Sequence, residues 1–484
     1  MRDMVLVLNF DDASSRAVTR KLRSERVLCK IVPGNTSLED LQAQDPMGLL
    51  MAGGVSGQPV EGVDNRLLQC GLPILALGDA AAWLLTTLGG TVGDPVLQGA
   101  VASLTYRESP LLEGIESGER LLQCARELIL PPLVTPLCNA QEVILGYAHE
   151  SLPLFGMQFE VEQNDLEGSQ MLRNFALNIC GCTTWWDDDA FVTRSVDEIR
   201  RVVGEGRAVC AMTGGLDSGV SALLAFKALG GQLKCIFVDT GLLRDREGDD
   251  FIAFYRDSIG MDITRVYAQE RFMEALKGVQ SADEKRKIIG TLMHQILREE
   301  EEKLGQFDAL IKGTSYSDIM FGNGNRLPPL DDSLLLIEPV RELFKEEIRR
   351  VGDYLGIPSD SISRQPFPGS GLALRIMGEV TPRRLRTLRA ADAAFRSEVQ
   401  RAGAAKRLWQ YFAVLYPLSG EEEEADMICL RAVQASERSQ AYAARLPYDV
   451  MESAVDRILR DQPDVKRVVY DLTPSKAFAG GEWQ

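Results

Sequence analysis

Histidine is nearly absent from this sequence: His149 and His294 are the only two among 484 residues. Chemistry that depends on an imidazole base is therefore confined to those two positions. Long apolar runs are missing too. Nothing approaches the roughly 20 uninterrupted apolar residues of a membrane span, so no membrane partner is expected. Met1-Arg2-Asp3-Met4 runs straight into Val5-Leu6-Val7-Leu8 without an apolar leader and cleavage site, which predicts a cytoplasmic protein. Basic residues are outnumbered, 53 Lys and Arg against 70 Asp and Glu, and the net charge is -17. That balance argues against a large nucleic-acid footprint. The nine cysteines are odd in number and scattered, and Cys210 and Cys235 lie inside apolar runs. They read as buried reduced thiols, not as a disulfide framework. No low-complexity tract or short repeat is present, and the acidic runs Glu299–Glu302 and Glu421–Glu424 read as solvated surface.

The composition, 45% apolar and 25% charged, is that of a globular chain, and its length implies two or three domains. Apolar strand-like runs alternate with amphipathic segments in the first part: Met4–Asn9, Ser14–Ser24, Met47–Met51, Pro73–Leu77, a helix from Ala80, and Leu152–Phe159. This alternation predicts a parallel α/β sheet covered by helices. The polar stretch Thr183–Asp189 marks a boundary. A second α/β unit follows, with strand Ala208–Met212, helix Val220–Leu229 and strand Leu233–Val238 forming one βαβ crossover. Beyond Gly378 helices dominate (Pro382–Ala402, Tyr448–Arg460), with short strands at Ala413–Tyr416 and Arg467–Tyr470, which predicts a smaller α+β domain. The expected division is 1–183, 184–378 and 379–484.

Thr213-Gly214-Gly215-Leu216-Asp217-Ser218-Gly219 stands where the strand ends and the helix begins. Free backbone N–H groups and the helix dipole there point at any anion in the loop. Glycine lets the backbone approach phosphate oxygens, and the hydroxyls of Thr213 and Ser218 add donors. The Lys of a Walker loop is lacking, so this is not the usual kinase arrangement.

The loop is similar to the SGGxDS pyrophosphate loop of the N-type ATP pyrophosphatases, with Thr213 for the first Ser. Further stretches resemble the GMP synthetase family in collinear order: Phe237–Arg244, Lys285–Gly290, Gly313–Asp318, Glu338–Lys345, Pro366–Leu372, and Lys476 with Glu482-Trp483. The resemblance implies ATP and Mg²⁺ as cofactors. Thr213, Gly214, Gly215, Leu216, Asp217, Ser218, Gly313 and Thr314 would surround the phosphates, and Val238 and Asp239 the ribose or adenine. It further implies Asp217 and Asp318 as metal ligands, Lys287 and Lys345 in the pyrophosphate surroundings, and Asp217, Ser218 and Lys345 as the catalytic set. Arg375, Lys476 and Glu482 would contact a phosphorylated acceptor, and the C-terminal domain would mediate a homodimer.

The first 183 residues resemble a class I glutamine amidotransferase domain. Gly71–Ala80 matches its strand and nucleophile elbow, but Gly78 occupies the Cys position. The motif usually written G-x-Q-F-H-P-E reads Gly156-Met157-Gln158-Phe159-Glu160-Val161-Glu162, with Glu160 for the base His. Glutamine hydrolysis in that class needs a thiolate and an imidazole, and neither is present. Cys70 lies eight residues too early, and His149 reads as structural. The acceptor side also departs from the family. Gly480 and Gly481 replace Thr and Ile, Gln484 replaces a terminal Glu, Phe321–Pro328 stands for the lid motif HHNVGGLP, and Gln365 replaces a His.

Two readings follow on equal footing. One is ATP-dependent amination of XMP, with ammonia from solution or from a separate glutaminase subunit. The other is the same adenylation of a different purine-like or carbonyl acceptor in a specialised pathway. A tRNA-thiolating enzyme would want reactive paired cysteines and a basic surface, and a nucleotide-binding regulator would be expected to have a broken loop; neither fits well.

Overall fold

Val5-Leu6-Val7-Leu8 is apolar at every position, the pattern of a strand covered on both faces, and it forms β1 (Val5–Asn9). A computed structural model describes residues 3–476 except 59, 160, 162–164, 322–333, 364, 366, 368, 419–424 and 436–439. β1 pairs in parallel with β2 (Cys29–Pro33) and β3 (Gly48–Ala52), and β4 (Ile74–Leu77) and β9 (Leu154–Met157) extend the parallel half. The intervening strands are β5 (Thr91–Tyr106), β6 (Glu119–Ile129), β7 (Val134–Ala140) and β8 (Val143–His149). They add an antiparallel half, giving the order β2-β1-β3-β4-β9-β8-β7-β5-β6. The helix Asp12–Ser24 begins where Asp11 accepts the Ser14 N–H at 2.8 Å, as an N-cap should. The alternation read from the sequence captured the parallel half. It missed the antiparallel strands; in the β5–β6 pair the register is broken by bulges around Pro95, and most of β5 is exposed or half-buried.

His149 is a structural histidine, as expected. Its Nδ1 accepts the N–H groups of Ser151 and Leu152 at 3.2 and 3.1 Å, closing the turn after β8. All nine cysteines are free thiols, seven of them buried. Cys210 and Cys235 sit side by side in neighbouring strands.

Two compact units divide between Phe191 and Val192, close to the polar stretch that marks the boundary in the sequence. The second unit holds two sheets. The central one consists of β10 (Ala208–Met212), β11 (Leu233–Asp239), β12 (Ile263–Tyr267), β13 (Ala309–Ile311) and β14 (Leu335–Ile337). All its pairs are parallel and its order is β12-β11-β10-β13-β14. The other sheet comprises β15 (Gln410–Pro417), β16 (Asp426–Ala435), β17 (Gln440–Ala443), β18 (Val465–Tyr470) and β19 (Ser475–Lys476). The helices Pro382–Arg401 and Tyr448–Asp461 belong with this sheet. One apolar cluster runs from Val209 and Leu310 of the central sheet through Leu388 and Phe395 to Ile428 and Ile458. The division at 378/379 thus falls within a continuous core, and we keep 184–378 and 379–484 only as proposed subdivisions.

Lys285, on the helix Ala282–Leu304, is a charged group buried inside this unit. Its Nζ donates to the carbonyls of Ala373 and Ile376 at 3.2 and 2.6 Å. Burial, with Arg384 nearby, pushes its ammonium down to about 8. Between that value and the ordinary lysine value of about 10.4 the unfolded chain holds a proton that the folded chain has released. This group's contribution to stability therefore rises with pH across the window. Urea midpoints at pH 8 and pH 10 test this: the rise seen in the wild type should shrink in Lys285→Met, and equal slopes would contradict it.

Candidate active site

In an open parallel sheet, ligands bind beyond the carboxyl ends of the strands where the strand order reverses. Here that point lies between β10 and β13, which are adjacent in space but far apart in sequence. Both strands end there in short glycine-bearing loops. After β10, Gly214 adopts φ 81° and Gly215 opens the helix Leu216–Leu229 without a side-chain cap. The first N–H groups of that helix, which have no intrahelical partner, thus face the loop. Ser218 Oγ donates to the Gly215 carbonyl at 2.9 Å, accepts the Thr213 N–H at 3.2 Å and lies 3.2 Å from the Thr213 hydroxyl. The loop is therefore closed on itself by its two hydroxyl residues.

The loop after β13 presses against it. A Cβ on Gly313 would lie 2.6 Å from both Cα and N of Ser218 and 2.7 Å from the carbonyl carbon of Asp217. Only glycine allows that approach. The next residue, Thr314, carries a buried hydroxyl with no hydrogen-bond partner among the described residues. Ser315 then donates from its backbone N–H and its hydroxyl to Asp318 Oδ2 at 2.8 and 2.7 Å, aiming the carboxylate back toward the β10 loop.

Lys345 completes the cluster from the first turn of the helix Lys345–Tyr354. Its ammonium pairs with Asp217 and lies 3.8 Å from Asp318 Oδ2. Burial pushes the Asp217 carboxyl up, opposed by the Lys345 ammonium, with Asp318 pushing the same way as burial. One cation thus stands between two carboxylates that are 23% and 50% exposed, so the cluster opens to solvent. Carboxylate oxygens suit a hard divalent ion, and the hydroxyls and helix N–H groups suit phosphate.

The structure brings Thr213, Gly214, Gly215, Leu216, Asp217, Ser218, Gly313, Thr314, Asp318 and Lys345 to this one strand-end crevice. Val238 and Asp239 end the neighbouring strand β11. The Asp239 carboxylate is already engaged, by Arg265 at 2.6 Å and by the Gly241 N–H at 3.1 Å. Lys287 is exposed on its helix, and the buried lysine of that segment is Lys285. The expectation for Arg375 needs correction. Its side chain is wholly buried, against the rings of Phe412 and Phe367 at 4.1 and 5.1 Å and 3.8 Å from Asp392. Burial, then Arg244 beside it, pushes its guanidinium down to about 9. A group so enclosed does not reach a phosphate on a diffusible acceptor. Gln365, the replacement for a family His, accepts the Tyr411 N–H at 2.7 Å and so joins its loop to β15. Lys476 lies in β19, while Glu482, Gly480, Gly481, Glu160 and the lid replacement at 322–328 fall outside the described residues.

In the first unit, Gly78 stands at the strand-to-helix corner after β4 with φ 58° and ψ -129°. A Cβ there would lie 2.3 Å from the Gly54 carbonyl oxygen and 2.6 Å from that of Gly53. The Asp79 N–H donates to the same Gly54 oxygen at 2.6 Å. The Asp79 carboxylate in turn accepts from the Gly57 N–H and the Ser56 hydroxyl at 3.0 Å, fixing residues 54–57 over the corner. Sequence reasoning missed this closure because the backbone groups that make it have no signature in residue type.

A parallel sheet with a hydroxyl–glycine loop and two carboxylates at its switch point defines an α/β nucleotide-binding fold of the ATP-pyrophosphatase kind. The comparisons narrow this further. Residues 397–483 match the family described as GMP synthase C terminal domain. The whole chain is 36% identical to GMP synthase [glutamine-hydrolyzing] of Clostridium novyi (strain NT), covering 99% of that protein. It is 37% identical to the protein of the same description from Clostridium perfringens (strain 13 / Type A), over 100% of both chains. The structure of NMN synthetase from Francisella tularensis is similar to 38% of this chain, over 78% of its own length and at 15% identity, with a TM-score of 0.33 too low to add to the assignment. The chain belongs to the GMP synthase family.

Gly313→Ala tests the closeness of the two loops. Forcing a methyl group against the Ser218 backbone should lower stability by about 1–3 kcal/mol in chemical denaturation, and it should weaken binding of a non-hydrolysable ATP analogue. A variant with wild-type stability and affinity would show that the loops are not in contact.

Proposed function

We propose that this protein is an ATP-dependent C–N ligase that adenylates an acceptor oxygen, XMP being the first candidate, and aminates the product with free ammonia. The observation that carries the reading is the strand-end cluster Thr213–Ser218, Gly313–Asp318 and Lys345, in a chain collinear with GMP synthases over its full length. The acceptor oxygen attacks the α-phosphorus of ATP, pyrophosphate leaves, and ammonia then displaces AMP. Thr213, Ser218 and the first N–H groups of the helix Leu216–Leu229 bind the departing pyrophosphate, and Lys345 neutralises charge on it. Asp217 and Asp318 would hold Mg²⁺, which when bound balances the charge of the triphosphate. With Arg375 enclosed, Lys476 is the proposed basic contact for the acceptor's phosphate, and Glu482 keeps the acceptor role that the family motif implies. The C-terminal part is proposed to form a homodimer, and a cytoplasmic setting is proposed with it.

The relatives are described as glutamine-hydrolysing, and we propose that this chain is not. The nucleophile corner carries Gly78, and the space of a side chain there is filled by the Gly54 carbonyl. In the related hydrolase elbow, the N–H after the nucleophile helps stabilise the oxyanion. The equivalent Asp79 N–H is here spent on Gly54. Ammonia would thus come from solution or from a separate glutaminase subunit.

Pure protein with Mg-ATP and XMP should release pyrophosphate when ammonium is supplied and not when glutamine is. Gly78→Cys combined with Glu160→His should still leave glutamine hydrolysis at background, because the added sulfur has no room. Glutamate formed above the uncatalysed rate by the wild type would defeat the silent-amidase reading. Asp217→Ala should reduce pyrophosphate release by about 10²–10³-fold, the usual loss when one charge-stabilising group is removed, with its melting temperature little changed. Near-normal release would mean that the site is elsewhere. A second acceptor is favoured if ammonium and ATP turn over with another oxo-purine nucleotide and not with XMP.

A further inference from the structure

The segment Asp239–Arg244, which follows β11, has its backbone held from two directions. Its N–H groups are satisfied locally: Gly241 by Asp239 at 3.1 Å, Leu242 by the Thr240 hydroxyl at 3.1 Å, and Arg244 by Glu247 at 2.9 Å. The carbonyls of Gly241, Leu242 and Leu243 are satisfied by residues more than a hundred positions later. Arg389, on the helix Pro382–Arg401, donates Nη2 to Gly241 at 2.6 Å and Nε to Leu243 at 3.0 Å. Between them, the Leu242 carbonyl accepts the Leu372 N–H at 2.8 Å. One turn further along the same helix, Asp392 lies 3.3 Å from the Arg244 guanidinium and accepts the Ala413 N–H of β15 at 3.1 Å.

This segment touches the phosphate loop. A Cβ on Gly214 would lie 3.7 Å from Leu243 Cδ1 and 3.5 Å from the Phe237 ring. The loop glycine therefore has Leu243 as its wall, and the position of Leu243 is set by the carbonyl that Arg389 holds. A planar guanidinium is suited to this task, because its fixed fork can bind two carbonyls at a set separation, which a single ammonium does poorly.

We infer that Arg389 is a positioning residue for nucleotide binding: it fixes the Gly241–Leu243 turn against the Gly214 loop, so that the ATP half of the site is shaped from the C-terminal helix. The inference rests on the reading that ATP occupies the Thr213–Ser218 loop. Arg389 touches no reacting atom, and its effect is on ground-state nucleotide affinity, not on the chemical step.

The test uses the full-length protein with the wild type, Arg389→Gln and Arg389→Lys, a non-hydrolysable ATP analogue with Mg²⁺ in calorimetry, and steady-state pyrophosphate release. Arg389→Gln should bind the analogue about tenfold or more weakly and raise the KM for ATP to match. The KM for ammonium should hold and kcat should change far less. Arg389→Lys should fall between the two. Wild-type affinity in Arg389→Gln would overturn the inference, and so would a parallel loss in the ATP and ammonium constants together with a broadened melting transition. Should Arg389→Gln not fold, Arg389→Lys decides: several-fold weaker analogue binding supports the role and unchanged binding removes it. Failure of the wild type itself to bind the analogue would instead overturn the ATP assignment, and the inference with it.

Discussion

Two carboxylates facing one cation at the ends of two adjacent parallel strands are the constraint around which the second unit is arranged. Asp217 and Asp318 stand in the first turns of helices about a hundred residues apart in sequence, and the close approach of Gly313 to the Ser218 backbone helps bring them together. Left alone, two such groups would repel and be costly to desolvate. Lys345 makes the arrangement tolerable by supplying a positive charge between them. The sheet order, the glycines and Glu347, which accepts the Phe344 N–H at 2.8 Å at the start of the helix Lys345–Tyr354, all serve to hold that geometry. The same electrostatics suit a nucleotide with its divalent ion, which brings its own charges into the cluster.

The two glycine corners of the chain have opposite outcomes. At Gly214 the left-handed backbone opens a loop whose N–H groups and hydroxyls face a crevice. At Gly78 a positive-φ corner of related design has its own backbone turned into it, with the Gly54 carbonyl and the Asp79 N–H bonded to each other. A site that has lost its nucleophile no longer needs an empty space for substrate. Filling that space with a backbone hydrogen bond satisfies two polar groups that would otherwise need water. On the proposed reading, the first unit keeps its fold while glutamine hydrolysis is closed.

Much of the second site was legible in the sequence because its chemistry is local. Thr213–Ser218 is a continuous motif at a strand–helix junction, and the βαβ pattern around it places it at a strand end. Strands whose residues are apolar throughout, such as Val5–Leu8 and Ala208–Met212, were found within a residue or two. The hairpin Thr91–Tyr106 with Glu119–Ile129 was not, because a strand exposed along most of its length shows little contrast between its faces. Arg375 misled for a different reason: a motif says which residue is present, while burial behind Phe367 and Phe412 depends on chain segments far away. Lys285, Arg389 and Asp392 went unread because each acts on backbone carbonyls or buried partners that no pattern of residue types announces.

The central claim is that an acceptor oxygen, and not water, attacks the α-phosphorus of ATP. It is tested most directly by isotope transfer. With XMP labelled with ¹⁸O at the C2 oxygen, Mg-ATP and ammonium, mass spectrometry of the AMP formed should show one ¹⁸O per molecule, in step with pyrophosphate release. AMP that carries no label, or ADP and inorganic phosphate in place of AMP and pyrophosphate, would contradict the account.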